Sequence, residues 1–239
     1  MKTTVIRANS RGNINFGWLN AYHTFSFGEY FDRNRMGFGA LRVVNDDFVK
    51  PQAGFPLHPH DNMEIITVVL KGTIEHQDSL NHHQQISAGE IQVMSAGSGI
   101  VHSEANPSAT EELNLFQIWI HPKLRNISPR YEQKSFIDIL EHKNRWHYLV
   151  TADGREQSLT INQDALIAMA DFDQSAAARY DLTNSANGVF LMVVAGEITL
   201  ADGTTLENRD AILISDVKQI NFAVTKSAKL LLIEVPLVN

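Results

Sequence analysis

LHPHDNMEIITVVLKG, from Leu57 to Gly72, decides how this chain is read. Two histidines flank a proline, a glutamate follows, and an apolar run ends in glycine. The run is strand-length, rich in Ile and Val, and stopped by a turn residue, as β-strands are. Residues i and i+2 of a strand face the same way, so His58 and His60 share a face. Taken alone, a His-x-His pair is a weak signal, because two partly exposed imidazoles at a strand entrance account for it equally well.

A second stretch changes the balance. GEIQVMSAGSGIVHSEANP, Gly89 to Pro107, runs a strand through a glycine-rich turn into His102-Ser103-Glu104. His102 and Glu104 are again i and i+2. If the two strands are neighbours facing a common interior, three imidazole nitrogens and one carboxylate converge. Such a set suits a first-row divalent ion and leaves two octahedral positions open. Without a metal, the same buried groups would lack partners at considerable cost. Glu64 is a rival carboxylate, an even number of positions after His60 and therefore able to share its face at greater depth. It is read as a structural or supporting group.

Composition narrows the classes. The chain has 239 residues, 44% hydrophobic and 20% charged, with a formal net charge of −7 and no cysteine. An acidic chain does not advertise a nucleic-acid or anionic-membrane face. The lack of cysteine removes disulfides, thiolate nucleophiles and zinc-thiolate sites, so any metal must be held by nitrogen and oxygen. MKTTVIRANSRGNINF carries no apolar leader core and no segment reaches a membrane span, so a cytoplasmic protein is expected.

Working outward, ALRVVNDDFV, MEIITVVLKG, GTIEHQDSL, QQISAGEIQVMSAG and LNLFQIWIHP are strand-length runs punctuated by turn residues, which predicts an all-β sandwich or barrel. SFIDILEHKNRW, Ser135 to Trp146, has Phe136, Ile139 and Leu140 at helical spacing and is taken as a linker. Beyond it, VFLMVVAGEITLADGTTLENRDAILISD repeats the rhythm of VVLKGTIEHQDSLNHHQQISAGEIQVMSAG, with Gly196 in the place of Gly72, like a degenerate duplication. No histidine follows His147, so only the first copy can hold the site.

The other histidines are given structural roles. His76, His82 and His83 are assigned to a solvated loop. His23 is expected to anchor the N-terminal segment by hydrogen bonding, and His121 to be exposed at a strand end. Nothing recommends His142 or His147. Phe25, Phe27, Phe31 and Phe38 are read as core. No G-x-S-x-G, phosphate-binding loop or dinucleotide fingerprint supports a hydrolase or a nucleotide-dependent enzyme.

AYHTFSFGEYFD (Ala21 to Asp32), FGALRVVNDD (Phe38 to Asp47), HPHDNMEIITVVLKG and SAGSGIVHSE together resemble the pirin family of the cupin superfamily, and within it the bacterial pirin-like quercetin 2,3-dioxygenases. The resemblance is dense over roughly the first 130 residues. It implies a bicupin of two antiparallel β-barrel (jelly-roll) domains: residues 1–130 with the metal site, a short, partly helical linker at 131–146, and a degenerate domain at 147–239. It also implies His58, His60, His102 and Glu104 as the ligands of one divalent transition metal. Iron comes first, with nickel, cobalt, manganese, copper or zinc as alternatives. Glu104 would double as the base for a flavonol whose ring is opened by dioxygen with loss of carbon monoxide. Another enolic or phenolic substrate fits the same residues. A non-enzymatic pirin, a metal-binding regulator acting through protein partners, is the alternative of a different class. A monomer without nucleic-acid or membrane partners is expected. Three departures stand out: Asp61-Asn62 where the family has arginine-glycine, Ser95 for the cupin proline, and a short second half.

Overall fold

The computed structural model describes residues 1–237, and its paired strands are antiparallel. The chain forms two compact units. One comprises Arg11–Phe136 with Leu159–Gln163; the other comprises Met1–Ser10, Ile137–Ser158 and the chain from Asp164 onward.

These divisions differ from the expected 1–130, 131–146 and 147–239, for three reasons. The strand Lys2–Ile6 pairs residue by residue with Ala211–Ser215, which carries the N-terminus into the C-terminal unit. The strand Arg130–Ser135 pairs along its whole length with Glu90–Ser95, so the first five residues of the expected linker belong to a sheet. Phe136 is buried, with its amide on the Gly89 carbonyl, and only one helical turn, Ile137–Leu140, remains of the helix. Finally, Leu159–Gln163 is stapled to the first unit. The Arg130 guanidinium donates to the Thr160 hydroxyl and carbonyl at 2.6 Å each, and the Gln163 amide donates to the His121 carbonyl at 2.8 Å.

The unit that carries His58, His60 and His102 is a jelly-roll sandwich of two separate sheets, not a closed barrel. The smaller sheet orders its strands Gly54–His60, Ile100–Ala105, Thr73–Asp78 and His83–Ser87. The larger runs Arg130–Ser135, Glu90–Ser95, Glu64–Lys71, Leu113–Ile120, Leu41–Val49, Leu19–His23 and Gly12–Asn15. Strand alternation sorts the smaller sheet's side chains: Ile100, His102 and Glu104 are buried while Val101 between them is exposed. Apolar clusters around Leu113, Leu115 and Ile74, and around Ile65, Met94 and Ile100, frame the polar groups that share the interior.

In the C-terminal unit the long strands Asn187–Leu200 and Gln219–Pro236 pair from Asn187↔Pro236 to Leu200↔Phe222, with register shifts around Ala195 and Glu197. The strand Leu166–Phe172 extends this sheet on the other side of Gln219–Pro236. Its main core cluster is apolar, built from Leu191, Val193, Ile212, Leu230, Leu232 and Phe222. Among the described residues, no helix is long and apolar enough to cross a membrane.

Candidate metal centre

Ile100–Ala105 is the strand on which the site is assembled. Its antiparallel partner Gly54–His60 sets Ile100 opposite His60 and His102 opposite His58, with a register shift between His102 and Glu104. On its other edge, Thr73–Asp78 sets Asp78 opposite His102 and His76 opposite Glu104. Period-two alternation on three adjacent strands thus gathers the polar side chains on one inner face.

Three of the four expected ligands meet. The ring centroids of His58, His60 and His102 are separated by 4.8 Å, 4.4 Å and 4.9 Å. One ligand atom from each lies within 4.8 Å of the others, a spacing at which they can hold one ion. Glu104 lines the same cavity, and its carboxylate groups with His102 and His76 within the same limit. It is buried, accepting from the Gln117 amide at 2.9 Å and the Thr67 hydroxyl at 3.4 Å. Both donors stand on the opposite sheet.

The electrostatics favour a cation. Burial, reinforced by the neighbouring imidazoles, lowers the His102 pKa to about 2, and burial with the adjacent His58 lowers that of His60 to about 4. Both rings are therefore neutral near pH 7, as ligation requires. Burial also raises the Glu104 carboxyl to about 7. His58 Nδ1 lies 2.7 Å from the Pro56 carbonyl, which can only accept, so this nitrogen carries the proton and Nε2 keeps its lone pair. His102 Nε2 is buried with no hydrogen-bond partner. An orphaned imidazole nitrogen among other imidazoles fits a metal and little else, so this donor set fits a divalent transition metal.

The cavity, about 240 Å³, is walled by Phe27, Phe55, Pro56, Ile65 and Trp119. Asn45, Asp47 and Gln117 add polar atoms to it. Asp47 is buried with Oδ1 unpartnered, and burial, then Asp46 and Glu104, pushes its carboxyl well above the ordinary range. His58 and His60 are half-buried whereas His102 is sealed, so the site is reached from the His58–His60 side.

The remaining candidates fall elsewhere. Glu64 takes no part in the cluster: its Oε2 accepts from the Ser95 hydroxyl at 2.6 Å and the Asn162 amide at 3.2 Å. The departure at Ser95 thereby gains a reason, since proline has no hydroxyl to donate. Asn62 has a φ of 47°, the left-handed region that glycine occupies freely and asparagine tolerates, so it can replace the family's glycine. His23 does anchor the N-terminal segment, with Nδ1 2.8 Å from Asn45 Oδ1. His82 and His83 are partly exposed, and His121 is half-buried rather than exposed. Of the expected core aromatics, Phe25 is buried, Phe27 lines the cavity, Phe38 is half-buried and Phe31 is exposed.

The sequence reading missed His76. It is wholly buried on a strand, not solvated in a loop, with Nε2 3.0 Å from Asp78 Oδ2 and Nδ1 3.4 Å from His102 Nδ1. The alternation Ile74, His76, Asp78 was the available signal, because an apolar residue two positions away marks the inward face.

A jelly roll with three converging imidazoles and a buried carboxylate defines a cupin-type metal centre. Residues 5–120 match the Pirin family and residues 148–235 the quercetinase C-terminal cupin domain. The chain is 44% identical over 237 residues to a quercetin 2,3-dioxygenase of Escherichia coli (strain K12), covering 96% of this chain and 97% of that protein. It is 39% identical over 226 residues to a pirin-like protein of Caulobacter vibrioides, covering 93% and 95%. The crystal structure of the bacterial pirin YhhW from Escherichia coli in complex with nickel(II) matches with a TM-score of 0.93 at 41% identity, covering 99% of this chain and 100% of that one. The chain belongs to the pirin family.

Proposed function

We propose that this pirin is a metal-dependent dioxygenase that opens the heterocyclic ring of flavonols such as quercetin and releases carbon monoxide. The observation that carries the reading is a buried carboxylate, Glu104, in the same apolar-walled cavity as three converging imidazoles. His58, His60, His102 and Glu104 would hold the ion, with iron as the native metal. When bound, the metal acidifies the flavonol hydroxyl and activates the ligand toward dioxygen.

The chain's own groups do the rest. Glu104 receives the hydroxyl proton, and Gln117 and Thr67 hold its two oxygens in place to do so. Phe27, Phe55 and Trp119 present aromatic surface to a flat ligand and exclude water from the reacting face. At about 240 Å³ the cavity lies below the usual range of roughly 300–1,000 Å³ for small-molecule sites, so it encloses the chelating end of a flavonol and leaves the rest toward the mouth.

The test follows the loss of quercetin absorbance, oxygen uptake and carbon monoxide release after reconstitution with iron(II), nickel(II) or cobalt(II). Turnover with coupled oxygen loss and carbon monoxide supports the reading. Bound metal without turnover on any flavonol transfers it to another phenolic substrate or to a regulatory pirin. The same reading takes the protein as a cytoplasmic monomer, which gel filtration checks. The net charge of −7 supports the absence of a nucleic-acid partner.

A further inference from the structure

We propose that His76 and Asp78 form a positioning pair that fixes the tautomer and orientation of His102, acting on the metal through this ligand without touching it. The inference rests on the metal reading above.

The proton order follows from the acceptors. Asp78 Oδ2 lies 3.0 Å from His76 Nε2, and a carboxylate only accepts, so His76 carries its proton on Nε2. Its Nδ1 then has a lone pair, 3.4 Å from His102 Nδ1. That lone pair accepts from His102 Nδ1–H, which leaves the His102 lone pair on Nε2. Nε2 is the nitrogen that is buried and unpartnered. Each link permits one arrangement, and the chain ends on the one ring nitrogen of His102 that has no hydrogen-bond partner.

Asp78 is itself immobilised. Its Oδ1 accepts the backbone amides of Leu80 at 2.9 Å and His82 at 3.1 Å, and its Oδ2 lies 2.9 Å from His82 Nδ1. The turn behind it is tied to the ligand strand, with the Ser79 amide on the Val101 carbonyl at 2.9 Å. Tyr131 packs against both His76 and His82, with centroids 4.9 Å and 4.8 Å away. A histidine that merely filled the core would need none of this alignment, and an apolar residue would fill the same space without burying polar nitrogens. Partners of this kind orient ligating histidines and raise their basicity.

Cobalt(II) affinity is the direct measure, read from the visible spectrum in competition with a chelator. His76→Phe keeps a ring against Tyr131 but removes the acceptor, and it should weaken cobalt binding about 10- to 100-fold and shift the cobalt bands. His76→Asn places an oxygen near the Nδ1 position and should stay within a few-fold of wild type. His76→Gln reaches past that position and should lose affinity; this pair decides the matter if the phenylalanine variant does not fold. Equal affinity in wild type and His76→Phe, or in the Asn and Gln variants, overturns the positioning role and leaves the metal reading standing. Failure of the wild-type protein to bind cobalt would remove both.

Discussion

The two units are written in the same strand vocabulary, yet their interiors differ in kind. On Leu166–Phe172 of the C-terminal unit, the alternate residues Leu166, Ala168, Ala170 and Phe172 all join one apolar core. On Ile100–Ala105 of the other, two of the three inward positions are His102 and Glu104. Each unit also buries a carboxylate, and the contrast between them is instructive. Glu234 accepts from the Tyr180 hydroxyl, the Thr183 amide and hydroxyl, the Asn184 amide and the Asn187 side chain, all within 3.1 Å. Glu104 accepts from two side chains, one of them at 3.4 Å, beside a His102 nitrogen and an Asp47 oxygen that have no partner. A satisfied buried carboxylate holds a fold together, whereas an under-satisfied cluster waits for a ligand.

The largest expected effect tests that contrast directly. His58→Ala or His102→Ala should abolish stoichiometric metal and turnover together, measured by elemental analysis and oxygen uptake. Full metal content in either variant would break the assignment. Glu104→Gln comes next, keeping part of the metal while cutting the rate by about 10²- to 10⁴-fold, the usual weight of a general base. Undiminished oxygen uptake would remove the base role. Glu234→Leu should do the reverse. It leaves five donors without their acceptor and should cost about 3 kcal/mol in chemical denaturation while metal stoichiometry is unchanged.

A smaller effect concerns pH in protein stripped of metal. The Glu104 carboxyl, raised by burial from 4.5 to about 7, keeps a proton in the folded chain that the unfolded chain releases. Its contribution to stability is therefore full below pH 4.5 and lost as pH rises through 7. His60 and His102, lowered from 6.5 to about 4 and about 2, act oppositely, costing stability as pH falls below 6.5. They are common to wild type and Glu104→Gln, so to first order they cancel in the difference between the two proteins. The melting temperature of the variant relative to wild type should rise between about pH 5 and pH 8. A pH-independent difference would mean that Glu104 does not titrate in this window.

How far the sequence revealed these features depends on their range along the chain. The face shared by His58 and His60, and that shared by His102 and Glu104, were legible because period two is a local property. Burial of His76 is also local, but the string EHQDSLNHHQQ is polar enough to look like a loop and masks the inward run Ile74, His76, Asp78. Capture of Lys2–Ile6 by Ala211–Ser215 had no local signature, because the partner lies about two hundred residues away. The helix failed for a related reason. Phe136 has helical spacing to Ile139 and Leu140, but its burial at the end of a paired strand left only Ile137–Leu140 to coil. Ser95 and Asn62, departures from the family on paper, became intelligible through a hydrogen bond and a dihedral angle.

The smallest effect probes the duplication itself. Gly72 and Gly196 occupy corresponding places and both have left-handed φ, 78° and 95°. A Cβ on either bears the left-handed penalty of about 1–2 kcal/mol. They differ in what lies beyond. At Gly72 the added carbon would stand 3.3 Å from Leu113 Cα, a contact that a slight shift relieves. At Gly196 it would collide with the Ser227 carbonyl oxygen and stand 2.6 Å from Ala228 Cα, which requires the paired strand Gln219–Pro236 to move. Gly196→Ala should therefore lower the denaturation midpoint more than Gly72→Ala, by about 1–2 kcal/mol of extra destabilisation, with metal binding retained in both. Equal losses would mean that the sheet of the C-terminal unit yields at Ser227 as easily as the other does at Leu113. The two turns would then be equivalent in energy as well as in position.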